Sequence, residues 1–160
     1  MVDWRGRDRR TGPRAAGFTL VELATALAVM AVALAIALPS VQNYRTRVKN
    51  DRARQDIMVM AAGIERFWQD ARRYPTTLAE AGYVTPIDPW GNPYRYLSMD
   101  EPASRGQARK DHSLVPINTD FDLYSMGPDG RSSPPLTARH SRDDIVRANN
   151  GAYVGPASEY

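Results

Sequence analysis

An uncharged run from Leu23 to Leu38, extended upstream by Phe18-Thr19-Leu20-Val21-Glu22, constrains this chain more than any other stretch of its 160 residues. Counted from Phe18 to Leu38 it has 21 residues. As an α-helix these reach roughly 31 Å, close to the thickness of a bilayer's hydrocarbon layer. Ahead of the run, residues 1–17 carry Arg5, Arg7, Arg9, Arg10 and Arg14 against Asp3 and Asp8. Three arrangements share this outline. A secretory signal peptide has a basic start, an apolar centre and a small-residue cut site, which Ala35-Ile36-Ala37 supplies. An uncleaved signal anchor has the same pattern. A third must explain Glu22, because a carboxylate inside an inserted helix costs on the order of 2.5–3.5 kcal/mol.

A cut between Gly17 and Phe18 supplies that explanation. The new α-amino group on Phe18 then lies one helical turn from the Glu22 carboxylate. Within one straight helix the two cannot satisfy each other fully, since the amine sits at the end and the carboxylate points sideways. Between neighbouring copies the pairing is natural, and a buried charge with a partner is tolerable where a lone one is not. Glu22 therefore reads as an assembly determinant.

Gly17-Phe18-Thr19-Leu20-Val21-Glu22-Leu23, behind a short basic leader, resembles the prepilin signal of type IV pilins and type II secretion pseudopilins. Pro39 falls 21 residues after Phe18, where many of these proteins carry a proline. The resemblance implies cleavage after Gly17 by a prepilin peptidase, with N-methylation of Phe18. It also implies filament assembly through Phe18, Glu22 and Pro39. Charge counting alone does not orient the helix, because Arg45, Arg47, Lys49, Arg52 and Arg54 match the leader's five basic residues. The cytoplasmic placement of the leader rests on the resemblance.

The helix is expected to continue to Arg72, with Pro39 kinking or loosening it by removing one backbone donor. Val41, Tyr44 and Val48 recur at helical spacing. Ile57, Met60, Ala61, Ile64, Phe67, Trp68 and Ala71 form a 3–4 stripe that predicts packing on a globular domain. The first half has no partner within its own small domain, so lipid or copies of itself must cover it. The net charge of +3 and pI near 9.4 raise the question of nucleic acid. Yet the leader holds all of that excess, leaving 16 charges of each sign in residues 18–160. Asp51 interrupts the basic run at 45–54, which reads as a solvated or intersubunit face, and no direct nucleic-acid partner is expected.

Composition shifts at Tyr74-Pro75, and ten of the twelve prolines lie from Pro75 onward. Thr77-Leu78-Ala79-Glu80 has capping-box spacing and predicts a short helix ending near Gly82. Asp88-Pro89-Trp90-Gly91-Asn92-Pro93-Tyr94 is dense in turn residues. Strands are expected at Tyr94–Leu97 and Phe121–Ser125, with Leu114–Ile117 a weaker candidate. The fold class is α+β, a long helix against a small antiparallel sheet with a loop-rich C-terminus.

The second half also resembles a narrower group. Arg73-Tyr74-Pro75-Thr76, the Asp88–Tyr94 motif, Asp122-Leu123-Tyr124-Ser125-Met126-Gly127-Pro128-Asp129-Gly130 and Asp143-Asp144-Ile145 look like the major pseudopilins of type II secretion. That likeness implies one calcium ion, with Asp129, Asp143 and Asp144 as carboxylate ligands and the Met126 carbonyl as a backbone ligand. Calcium accepts six to eight such oxygens in flexible geometry. On residue chemistry alone, Asp129-Gly130 is also a turn and Asp143-Asp144 a cap on a terminal helix. Thirteen residues separate Asp129 from Asp143, a longer loop than the group usually has.

Catalysis finds no foothold. His112 and His140 are isolated in polar segments, and no glycine-rich phosphate loop, HExxH or GxSxG pattern occurs. Cysteine is absent, which removes disulfides, thiolate metal sites and cysteine nucleophiles together. Two classes remain. One is a structural filament subunit with a leader at 1–17, a membrane and filament-core helix at 18–44 and a periplasmic domain at 45–160. The other is a periplasmic binding module behind a signal peptide or anchor. The family implies a homo-oligomeric helical filament, in a type II secretion pseudopilus or a type IV pilus. Its partners would be the prepilin peptidase, an inner-membrane assembly platform, minor pseudopilins and, before assembly, membrane lipid. The expected location is the bacterial inner membrane, then a periplasmic or cell-surface filament.

Overall fold

The computed structural model describes residues 17–100 and 102–160, so the expected leader lies outside them except for Gly17. The chain divides into two compact units, Met1–Gln42 and Asn43–Tyr160. In the first, the described structure is the opening half of helix α1 (Leu20–Ala71). Alanine, leucine and methionine favour that conformation, and it runs through Pro39 without a break. Every side chain from Gly17 to Gln42 is exposed within the chain. The helix is long and apolar enough to cross a membrane.

In the second unit, the rest of α1 turns one face inward. Ala53, Ile57, Met60 and Ile64 are buried at spacings of four, three and four, the repeat that keeps side chains on one helical stripe. They form a core with Leu78, Tyr94, Phe121, Leu123 and Ile145. Burying an aliphatic side chain of this size contributes about 1.5–3 kcal/mol. Phe67 is half-buried, whereas Trp68 and Ala71 are exposed, so the expected stripe ends about one turn early. Gly63 permits a close approach, because a Cβ there would lie 2.3 Å from the Tyr83 hydroxyl oxygen. That hydroxyl donates to the Val59 carbonyl at 3.0 Å.

Four strands, β1 (Arg95–Ser98), β2 (Phe121–Ser125), β3 (Ile145–Ala148) and β4 (Tyr153–Pro156), make an antiparallel meander in chain order. Arg95 faces Tyr124, Tyr124 faces Val146, and Val146 faces Gly155. Side chains alternate across the sheet. Phe121, Leu123 and Ile145 join the helix-side core. Val146 and Ala148 join a second core with Ile117, Leu136 and Ala157. Loops thus cover the face that the helix leaves, and all four β3 residues are buried.

Arg147 on β3 is only 2% exposed. Its guanidinium lies 3.9 Å from the Phe121 ring centroid and grips Asp120 at two points, 2.9 and 2.6 Å. A buried arginine is tolerated through such paired contacts.

Several expectations need correction. β1 lies one residue later than Tyr94–Leu97. Leu114–Ile117 forms no strand, only a single bridge between Lys110 and Pro116. The segment after Thr77 is a set of turns ending at Gly82 (φ +91°). Five residues are too few for a stable helix, and Glu80 is drawn to the Thr76 backbone N–H at 2.7 Å and to Arg73. Asp143-Asp144 introduces β3 rather than capping a helix.

Candidate functional site

At the start of α1, the Glu22 carboxylate accepts the Thr19 backbone N–H and hydroxyl, each at 2.9 Å. The Glu22 N–H donates back to the Thr19 hydroxyl at 3.2 Å. This is a reciprocal capping box, which satisfies helix-end donors that otherwise lack partners. Its Thr-x-x-Glu spacing, Thr19 to Glu22, stands in the sequence and is the local signal for this cap. Phe18 precedes the helix and is 87% exposed, so the peptide bond between Gly17 and Phe18 lies in non-helical chain. Pro39 sits on the exposed surface of the same helix. The site therefore offers an accessible bond, a lone carboxylate one turn on, and an uncovered apolar rod.

In the folded domain, the motifs singled out by resemblance hold one another. Asp88 is buried and accepts the Trp90 and Asn92 backbone N–H groups at 3.0 and 2.8 Å, closing the Asp88–Tyr94 turn. Ser125 at the end of β2 donates to its other oxygen at 2.6 Å. Asn92 reaches the Gly127 carbonyl at 2.8 Å. Gly127 adopts φ +64°, and a Cβ there would lie 2.3 Å from the Asp143 carbonyl oxygen. The turn, the segment after β2 and the entry to β3 are thus fastened into one corner.

The residues assigned to calcium do not form one donor set. Asp129 and Asp143 line a surface hollow, but Arg139, His140 and Arg142 line it too. His140 Nδ1 lies 3.1 Å from one Asp129 oxygen, and Arg131 N–H donates to the other at 2.8 Å. These contacts hold the Asp129 carboxyl below the usual carboxylate range, His140 most of all. Asp144 faces the interior, fully buried, and accepts from Arg109 at 2.9 Å and from the Ser132 hydroxyl. Burial pushes its carboxyl up to about 7, against the pull of those partners. Met126 is buried, and its sulfur accepts from Arg95 at 3.4 Å. Among the described residues no group of three or more His, Asp or Glu side chains is placed to hold a metal ion. As placed, the three carboxylates do not offer calcium a common set of side-chain oxygens.

Arg109, Ser132 and Ser141 are the residues that sequence reasoning missed here. Arg109 sits in a polar stretch with neighbouring lysine and aspartate, and nothing local marks it as buried. His112 is exposed in a turn.

Residues 12–38 match the model of the prokaryotic N-terminal methylation motif. The chain is 29% identical over 136 residues to the type II secretion system core protein G of Pseudomonas aeruginosa, covering 72% of this chain and 84% of that one. The protein of the same name from Aeromonas hydrophila is 26% identical over 140 residues, covering 74% and 87%. The type IV major pilin protein PilA of Myxococcus xanthus is 30% identical over 90 residues, covering 56% and 40%. No solved structure matches the chain.

Proposed function

We propose that this type IV pilin-like protein is a structural subunit of a type II secretion pseudopilus, stored in the inner membrane and polymerised through its N-terminal helix. One observation carries the reading. The apolar opening half of α1 begins just after Gly17-Phe18, is exposed within its own chain as far as Gln42, and bears one carboxylate over that length, Glu22. Such a surface demands lipid or like surfaces, since water is an unfavourable solvent for it. Similarity to core protein G of two species extends over more than 130 residues in each. This supports the secretion system as the setting.

The prepilin peptidase removes residues 1–17, Phe18 is methylated, and the folded domain faces the periplasm. An inner-membrane platform and minor pseudopilins complete the assembly. The domain acts by position within the filament, with no catalytic step. Mass spectrometry of the mature N-terminus tests processing: methylated Phe18 is expected, while Met1 or Leu38 as first residue overturns the filament reading. The stretch shared with the Myxococcus xanthus pilin supports a second reading, a type IV pilus subunit. Deleting the gene separates the two. Loss of exoprotein secretion with surface pili intact fits the pseudopilus, and loss of pili with secretion intact fits the pilus.

A further inference from the structure

The segment between β2 and β3 is where the resemblance places a divalent cation, yet its carboxylates do not converge on one. We propose that the chain supplies the cation itself: the Arg109 guanidinium fastens this segment in place of a bound metal, so that its closure is independent of calcium. A bound calcium ion gathers oxygen atoms from the chain around it. Arg109 does the same here. Its Nη2 donates to Asp144 Oδ2 at 2.9 Å and to the Ser141 hydroxyl at 3.1 Å. Ser132 donates its hydroxyl to the same Asp144 oxygen. Ser141 exchanges hydrogen bonds with the Ser133 N–H and carbonyl. The long connection is thereby sewn to the residue just ahead of β3.

Arg109 is itself fixed. Its backbone N–H donates to Asp122 on β2 at 2.6 Å, and its guanidinium lies 4.8 Å from the Tyr124 ring centroid. The next residue, Lys110, accepts the Leu136 N–H at 2.9 Å, a further stitch into the same segment. The side chains of Arg109 and Asp144 are 5% and 0% exposed. Among the described residues Arg109 Nε and Asp144 Oδ1 are buried without partners, so the pair meets at one point rather than as a two-point fork. A pair of that kind adds little net stability, but removing one member leaves an uncompensated buried group. Its worth lies in specifying one path for the segment. Unlike a metal, a guanidinium cannot be chelated, and it stays charged at every accessible pH.

Limited proteolysis of the full-length protein in detergent micelles, with cuts within residues 130–142 mapped by mass spectrometry, tests this. For the unmodified protein the cutting rate is expected to be the same in excess calcium and in excess EGTA. Arg109→Met is expected to raise it by roughly tenfold or more, because losing one member of a buried pair loosens the segment that the pair holds closed. Slower cutting with calcium, or faster cutting with EGTA, overturns the proposal. So does an Arg109→Met protein cut as slowly as the parent. If that variant fails to accumulate, the calcium and EGTA comparison decides alone.

Discussion

The proposed function gives Glu22 a second job beside the one that the single chain shows. In the single chain it closes the capping box with Thr19; in the proposed filament it meets a neighbour's Phe18 amine. Glutamine separates the two, because it can cap a helix at this position but carries no charge. Glu22→Gln is expected to keep the subunit in the membrane fraction and to abolish filaments as fully as Glu22→Ala. Electron microscopy beside immunoblotting reads both, and normal filaments from Glu22→Gln would reduce the residue to a cap. Glu80 gives a pH prediction. Arg73 and then the Thr76 N–H hold its carboxyl at about 2, below its ordinary 4.5. A lowered carboxyl stabilises the fold above its unfolded pKa and loses that contribution as pH falls through the folded one. The melting temperature of Glu80→Gln should therefore sit below the parent's at pH 6 and converge with it toward pH 2. The gap should shrink in high salt, since the Arg73–Glu80 contact is exposed.

Among the elements, α1 separates burial from exposure along a single turn. Ile57 is fully buried, and its neighbour Met58 is 56% exposed. Urea unfolding should show Ile57→Ala losing about 2–5 kcal/mol and Met58→Ala no more than about 0.5 kcal/mol. This stripe was legible because helical periodicity is a local signal, and β2 was legible because its aromatic and aliphatic residues sit together. The strands β3 and β4 were not. Ile145-Val146-Arg147-Ala148 is interrupted by an arginine, whose burial depends on Asp120 and Phe121 twenty-six or more residues away. Tyr153-Val154-Gly155-Pro156 ends in two residues that disfavour strands. The Asn149-Asn150-Gly151 turn between them, with φ of +52°, +54° and +94°, was the available hairpin clue. At the candidate site, the motif residues Asp88, Asn92 and Gly127 were visible in the sequence. Their joining into one corner depends on long-range contacts, as does the commitment of Asp144 to Arg109.

At the scale of the whole molecule, the two units differ in what they need. Both cores of the second unit are drawn from Ala53 onward. Residues 43–160 alone are therefore expected to be soluble, to unfold cooperatively in urea and to form no filaments. An aggregated or molten product, seen by near-ultraviolet circular dichroism, would show that the domain leans on the first unit. The exposed helix of that first unit has a thermodynamic consequence for assembly. Lipid tails are about as apolar as leucine, so transfer from bilayer to bundle yields almost no hydrophobic gain. A subunit leaving the membrane for the proposed filament exchanges one oil for another. Extraction is then close to reversible, and the membrane becomes a depot that can reabsorb subunits when a filament shortens. Under that proposal, direction must come from something other than the helix's apolar surface.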